Sequence, residues 1–219
     1  MKTKEYIKND WLVFCLLLIP FIAIAYFWNQ IPQQIPMHWN FSGQIDHWEN
    51  KVYGIFYIPG LNVLFYFLFN IIPRFDPKRQ NYTLFSRSYR IIKISIISLI
   101  ALLSLIVLYA SIEVNIDIMY WVIISIIILF LIIGNQLGTL RPNYFVGIRI
   151  PWTLANEDVW KSTHRFAGHI WVWSSLAMLL LVIFLPREII KFFFWIYAGF
   201  LLMVPVIYSY IKYKKVSNR

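Results

Sequence analysis

Residues 118–137 read IMYWVIISIIILFLIIGNQL and hold no Asp, Glu, Lys or Arg. A helix of that length rises about 30 Å, the thickness of a bilayer's hydrocarbon core. A charge at the centre of that core costs roughly 2.5 kcal/mol or more. An uncharged run of this length therefore reads as a transmembrane helix. Working outward from it, five further blocks share the pattern: Trp11 to Trp28, Gly54 to Ile72, Ile91 to Ala110, Gly168 to Leu185 and Phe192 to Ile211. Lys93, near one end of the third span, is the single charge among them and is expected to snorkel to the interface.

Composition agrees with six spans. The chain is 60% hydrophobic and 14% charged, too apolar for an ordinary soluble domain. Of its 20 basic residues, 17 fall on one side when alternate connections are assigned to the cytoplasm. Lys2, Lys4 and Lys8 precede the first span. Arg74, Lys78, Arg79, Arg87, Arg90 and Lys93 follow the second, Arg141, Arg149, Lys161 and Arg165 follow the fourth, and Lys212, Lys214, Lys215 and Arg219 end the chain. The other side has Lys51, Arg187 and Lys191. This asymmetry places both termini inside. It also accounts for the net charge of +10 without nucleic-acid binding.

The expected fold is an all-α integral membrane protein of six transmembrane helices with both termini in the cytoplasm. It has an ordered outer loop at 29–53 and a short interfacial helix before the fifth span. The expected organisation is a helical hairpin over 11–72, a linker with the third span over 73–117, a domain over 118–211 containing an inner loop at 138–167, and a basic cytoplasmic tail over 212–219. The small residues Ala23 and Ala25 fit a signal-peptide cleavage pattern, but the apolar Tyr26, Phe27 and Trp28 beyond them favour an uncleaved anchor. Cys15 is the one cysteine, which excludes an internal disulfide, and it is expected to pack in the core. Pro20 and Pro205 are expected to kink the first and last spans.

The outer loop is dense in prolines, aromatics and turn formers. Pro32 and Pro36 favour extended backbone before them, and Asn40-Phe41-Ser42-Gly43 reads as a turn with Gly43 free to take positive φ. His38, Asp46, His47 and Glu49 are suitable metal ligands by type, but their spacing matches no zinc signature. The favoured reading has Asn40, Asp46 and the histidines hydrogen-bonding the loop into a cap. In the inner loop, glycines and prolines forbid a continuous helix, and Asn156 followed by Glu157 and Asp158 marks a helix start. Arg141 and Arg149 around Gly147 suit a phosphate-like anion or lipid headgroups. His164 and His169, five apart, sit on different helix faces.

Two pieces of sequence resemble a known family. Ile35-Pro36-Met37-His38-Trp39-Asn40, with Gly43, Asp46 and Trp48, is similar to the core of the domain of unknown function DUF1648. Gly134-Asn135, Arg141-Pro142-Asn143-Tyr144-Phe145-Val146-Gly147-Ile148-Arg149, Pro151-Trp152-Thr153-Leu154, Asn156-Glu157, Val159-Trp160 and Thr163-His164-Arg165 resemble the SdpI domain signature. The chain thus resembles the SdpI-like immunity proteins, which act against a secreted sporulation-delaying toxin. The resemblance implies a bacterial plasma-membrane protein without enzymatic activity or cofactor. Its partners would be membrane lipids, a toxin peptide and an ArsR-type transcriptional repressor captured at the membrane.

Candidate outer residues are His38, Trp39, Asn40, Gly43, Asp46 and Trp48. Inner candidates for a partner or lipid are Arg141, Pro142, Asn143, Tyr144, Gly147, Arg149, Pro151, Trp152, Trp160, His164 and Arg165. Two other functions compete with immunity. A small-solute or ion transporter would use polar groups such as Asn62, Asn70, Asn135 and Gln136 within the spans. A membrane peptidase would place a metal among the outer-loop histidines and acids.

Overall fold

The structure, a computed structural model, describes residues 10–40, 43–113 and 117–217. Lys2, Lys4, Lys8, Phe41, Ser42 and Arg219, used above for the orientation and the turn, lie outside the described residues. Helix α1 is Trp11–Phe27, α2 Lys51–Phe75, α3 Ser86–Ile112, α4 Ile118–Leu137, α5 Pro151–Ala155, α6 Glu157–Phe184 and α7 Arg187–Ser217. Two 3-10 turns, Trp28–Gln30 and Arg79–Phe85, extend α1 and precede α3. Six of the helices, all but α5, are long and apolar enough to cross a membrane. Protein buries only 22% to 44% of each most apolar stretch, so the remainder requires lipid. The chain is a multi-pass membrane protein.

The helices outrun the apolar blocks because a helix satisfies its own backbone into the interface, where charged side chains no longer cost what they do at the centre. Helix α2 accordingly starts at Lys51 and α7 continues to Ser217. The segment after Asn156 is no separate interfacial helix. It is the first turn of α6, capped by the Asn156 side chain, which accepts from the N–H groups of Asp158 and Val159. The short helix before the fifth span is instead α5, opened by Pro151 at a position where a missing N–H is harmless.

Lys93 is 3% exposed, covered by protein. One expectation fails on burial. Cys15 is exposed and not packed, because the apolar side of α1 that meets neighbours runs through Val13, Leu17, Pro20 and Ile24.

The outer loop takes a regular form. Strands β1 (Gln34–Trp39) and β2 (Ile45–Asn50) form an antiparallel hairpin. Its register pairs Ile35 with Glu49, Pro36 with Trp48 and His38 with His47, and is irregular on both sides of His38. Pro36 takes a strand position because a two-stranded sheet leaves N–H sites that need no partner.

The chain divides into two compact units, residues 1–70 with 96–122 and residues 71–95 with 123–219. In the first, Ile24 of α1, Ile31, Ile35 of β1, Ile55 of α2 and Leu108 of α3 make a buried cluster that seats the hairpin on the helix ends. Gly54 permits the seating, since a Cβ there would stand 2.8 Å from Ile35 Cδ1. In the second, α4 and α6 approach at Gly134 and Gly168, where a Cβ on Gly168 would lie 2.8 Å from the Gly134 carbonyl. Small residues allow such close packing of helices in lipid. Helix α6 is joined to α7 by Trp171 Nε1 donating to the Leu201 carbonyl at 3.0 Å and by a 2.6 Å bond between Ser175 and Tyr197 hydroxyls.

Candidate functional site

The hairpin carries its polar residues outward. Asn40 makes the turn: its Oδ1 accepts from Gln44 N–H at 2.9 Å and its carbonyl from Gly43 N–H at 2.8 Å. Gly43 has φ +81°, the conformation that favours glycine. His38 Nδ1 meets Asp46 Oδ1 at 2.5 Å, with side chains 68% and 43% exposed. His47 faces Glu49 at 4.0 Å. The four groups thus form two separate pairs, and among the described residues no three His, Cys, Asp or Glu side chains converge. Trp39 is half-buried and Trp48 exposed. At the hairpin's foot, Lys51 is buried, donates to the Trp28 carbonyl at 2.5 Å and sits 4.1 Å from the Trp28 ring centre.

Residues 138–156, the arginine loop, are organised around buried polar side chains. Asn143 is fully buried, and all its amide hydrogen-bonding capacity is used. Its Nδ2 donates to the carbonyls of Arg141 and Val146, and its Oδ1 accepts from the N–H groups of Phe145 and Val146. Asp76, 2% exposed, accepts from Lys78 N–H at 2.7 Å, Tyr144 N–H at 2.9 Å and the Tyr82 hydroxyl at 2.9 Å. Asn81 donates to the Pro142 carbonyl at 2.7 Å. Thr139 Oγ1 lies 2.7 Å from both the Gln136 carbonyl and Ser88 Oγ. A carbonyl only accepts, so Thr139 donates to Gln136 and receives the Ser88 proton.

His164 fixes the loop's far end. Its Nε2 accepts from Ile148 N–H at 2.9 Å, and its Nδ1 lies 2.9 Å from the Trp160 carbonyl. An amide N–H only donates and a carbonyl only accepts, so the ring is neutral with its proton on Nδ1. Trp160 stacks on the same ring at 4.0 Å and donates to the Leu140 carbonyl at 3.0 Å. Gly147 lies against the imidazole, where a Cβ would overlap Nε2, and has φ +112°. Glycine is required there on both counts.

The eleven inner candidates therefore divide. Pro142, Asn143, Trp160 and His164 are buried, and Gly147 serves the packing. Arg141, Tyr144, Arg149, Pro151 and Arg165 are exposed. Arg149 donates to the Tyr144 carbonyl at 2.8 Å, and half-buried Trp152 donates to Ser209 Oγ at 2.5 Å. Sequence reasoning passed over Asp76, Asn81 and Tyr82. Asp76 had a signal: it is the one acid in a connection otherwise rich in Arg and Lys, and it precedes Pro77, a setting for a carboxylate that organises a turn.

These two places coincide with two family matches. Residues 15–63 match the domain of unknown function DUF1648, and residues 139–209 match the SdpI/YfhL protein family. Over these two stretches the chain is similar to the SdpI-like proteins. The Immunity protein SdpI of Bacillus subtilis (strain 168) is 27% identical to it over 212 residues, covering 96% of this chain and 99% of that one. The SdpI/YfhL match begins at Thr139, the first loop residue held by the network above. No solved structure matches the chain.

Proposed function

We propose that this SdpI-like protein confers immunity against a secreted toxin peptide of the sporulation-delaying type, acting in the bacterial plasma membrane without catalysis. The observation that carries the reading is similarity to the Bacillus subtilis immunity protein along nearly the whole of both chains. In this reading both termini are cytoplasmic and the hairpin faces outward. Toxin meets the polar and aromatic surface of His38, Asp46 and Trp48, which is exposed and joined to the helix ends through Ile35. A rigid platform carrying exposed aromatic and charged anchors is suited to peptide recognition. On the cytoplasmic side, Arg141, Tyr144 and Arg149 present a basic and aromatic rim to an ArsR-type repressor, whose capture couples toxin arrival to transcription. Such coupling requires toxin to bind two arrangements of the helices with different affinity.

Survival of toxin-sensitive cells expressing the chain tests the reading. Wild type is expected to protect, and Trp48→Ala or His38→Ala to lower protection by about tenfold at matched membrane abundance, the scale of one lost anchor. Absence of protection at verified expression overturns it.

A further inference from the structure

Arg149, the arginine that the sequence offers to an anion, is engaged by its own loop through Tyr144. Other cations meet where the start of α6 faces the end of α7. There a recess of about 330 Å³ is lined by Asp158, Lys161, Ser162, Arg165, Lys212 and Val216. Lys161 and Arg165 are four apart and share one face of α6, and Lys212 comes from α7. Lys161 has Glu157 at 3.0 Å. Arg165 and Lys212 have no carboxylate partner among the described residues.

With Asp158 on the lining and Glu157 beside Lys161, the three cations still leave the recess net positive, a charge that a bound anion lowers. The neighbouring side chains indicate its setting. Phe166 stacks on Tyr208 at 4.1 Å, Trp152 lies against Tyr210 at 5.5 Å, and Lys214 sits 4.9 Å from the Tyr210 ring centre. Aromatic rings beside basic residues at the end of a transmembrane helix mark the headgroup level of a bilayer. Guanidinium and ammonium groups are the donors that phosphate oxygens take at that level.

We infer that this recess is a phosphate site, that it takes the headgroup phosphate of an anionic lipid, and that Lys161, Arg165 and Lys212 hold the oxygens. The site secures the α6–α7 seam to one leaflet. It shares no residue with the hairpin, so a lipid-binding result and a protection result fail independently.

The test is native mass spectrometry of the purified full chain titrated with dioleoylphosphatidylglycerol, with dioleoylphosphatidylcholine for comparison. Inorganic phosphate forms a separate arm read by thermal shift. Wild type is expected to bind phosphatidylglycerol about tenfold more tightly than the triple variant Lys161→Gln, Arg165→Gln, Lys212→Gln, given the worth of basic residues near an anionic surface. The variant Arg187→Gln, Lys191→Gln, at the other end of α7, is expected to bind as wild type does. Stabilisation of wild type by inorganic phosphate alone, lost in the triple variant, keeps the phosphate site and assigns it to a free ion. A triple variant of unchanged circular dichroism that binds both probes like wild type overturns the inference. So does an equal loss of lipid binding in the Arg187, Lys191 variant.

Discussion

The hairpin and the arginine loop both take their shape from polar side chains but use them differently. In the hairpin the pairs are side chain to side chain and face solvent, as with His38 and Asp46. In the loop they are buried and reach the backbone, as with Asn143, Asp76 and His164. Exposed ion pairs contribute roughly 0 to 1 kcal/mol. A buried donor or acceptor left without its partner costs about 1–3 kcal/mol. The hairpin can therefore change its surface with little effect on folding, whereas the loop cannot. The stretch with the most distinctive sequence is architecture more than contact surface.

Three substitutions and one control would break or sharpen this contrast. The largest effect is expected from Gly147→Ala, which adds a Cβ against His164 at a φ that disfavours side chains. A loss of about 3 kcal/mol should appear as a large fall in melting temperature or loss of monodisperse protein in detergent. Gly60→Ala, with nothing within 4 Å of the added atom, should leave melting unchanged. Next is Asp76→Asn, which puts a donor where the carboxylate accepts from Tyr82 and Tyr144. About 2 kcal/mol of stability should be lost, with faster amide exchange at Tyr144 as the specific sign. The smallest is His38→Ala, expected to change stability by less than about 0.5 kcal/mol, read by the same melting assay. A melting loss in His38→Ala as large as that in Asp76→Asn would end the distinction between the two regions.

The spans were legible because exclusion of charge from lipid acts on each residue separately, so twenty neighbouring letters suffice. The start of α6 was legible for the same reason: Asn156 caps its own neighbours. The hairpin was half legible. Its prolines and Gly43 announced extended chain and a turn, but pairing Ile35 with Glu49 is a relation between two short segments whose alternation the aromatics obscure. The loop's interior was the least legible, because Asp76 lies 68 residues from Tyr144 and Asn81 lies 61 from Pro142. The arginines drew attention by charge, yet Asn143 and His164, bland by composition, organise the site. Cys15 was misread because burial depends on which side of a helix its neighbours occupy.

That position of Cys15 has a practical consequence. The chain's one thiol is exposed on α1, between Phe14 and Leu16 and off the side that runs through Val13, Leu17, Pro20 and Ile24, a place that a bilayer's acyl chains would cover. A nitroxide attached there would be broadened by dissolved oxygen and spared by a water-soluble nickel chelate, and so report the depth of α1 in the bilayer. Replacing it with serine leaves a background in which any single cysteine introduced at either end of a span is the sole target for a charged maleimide, so the sidedness of all six spans can be mapped one position at a time.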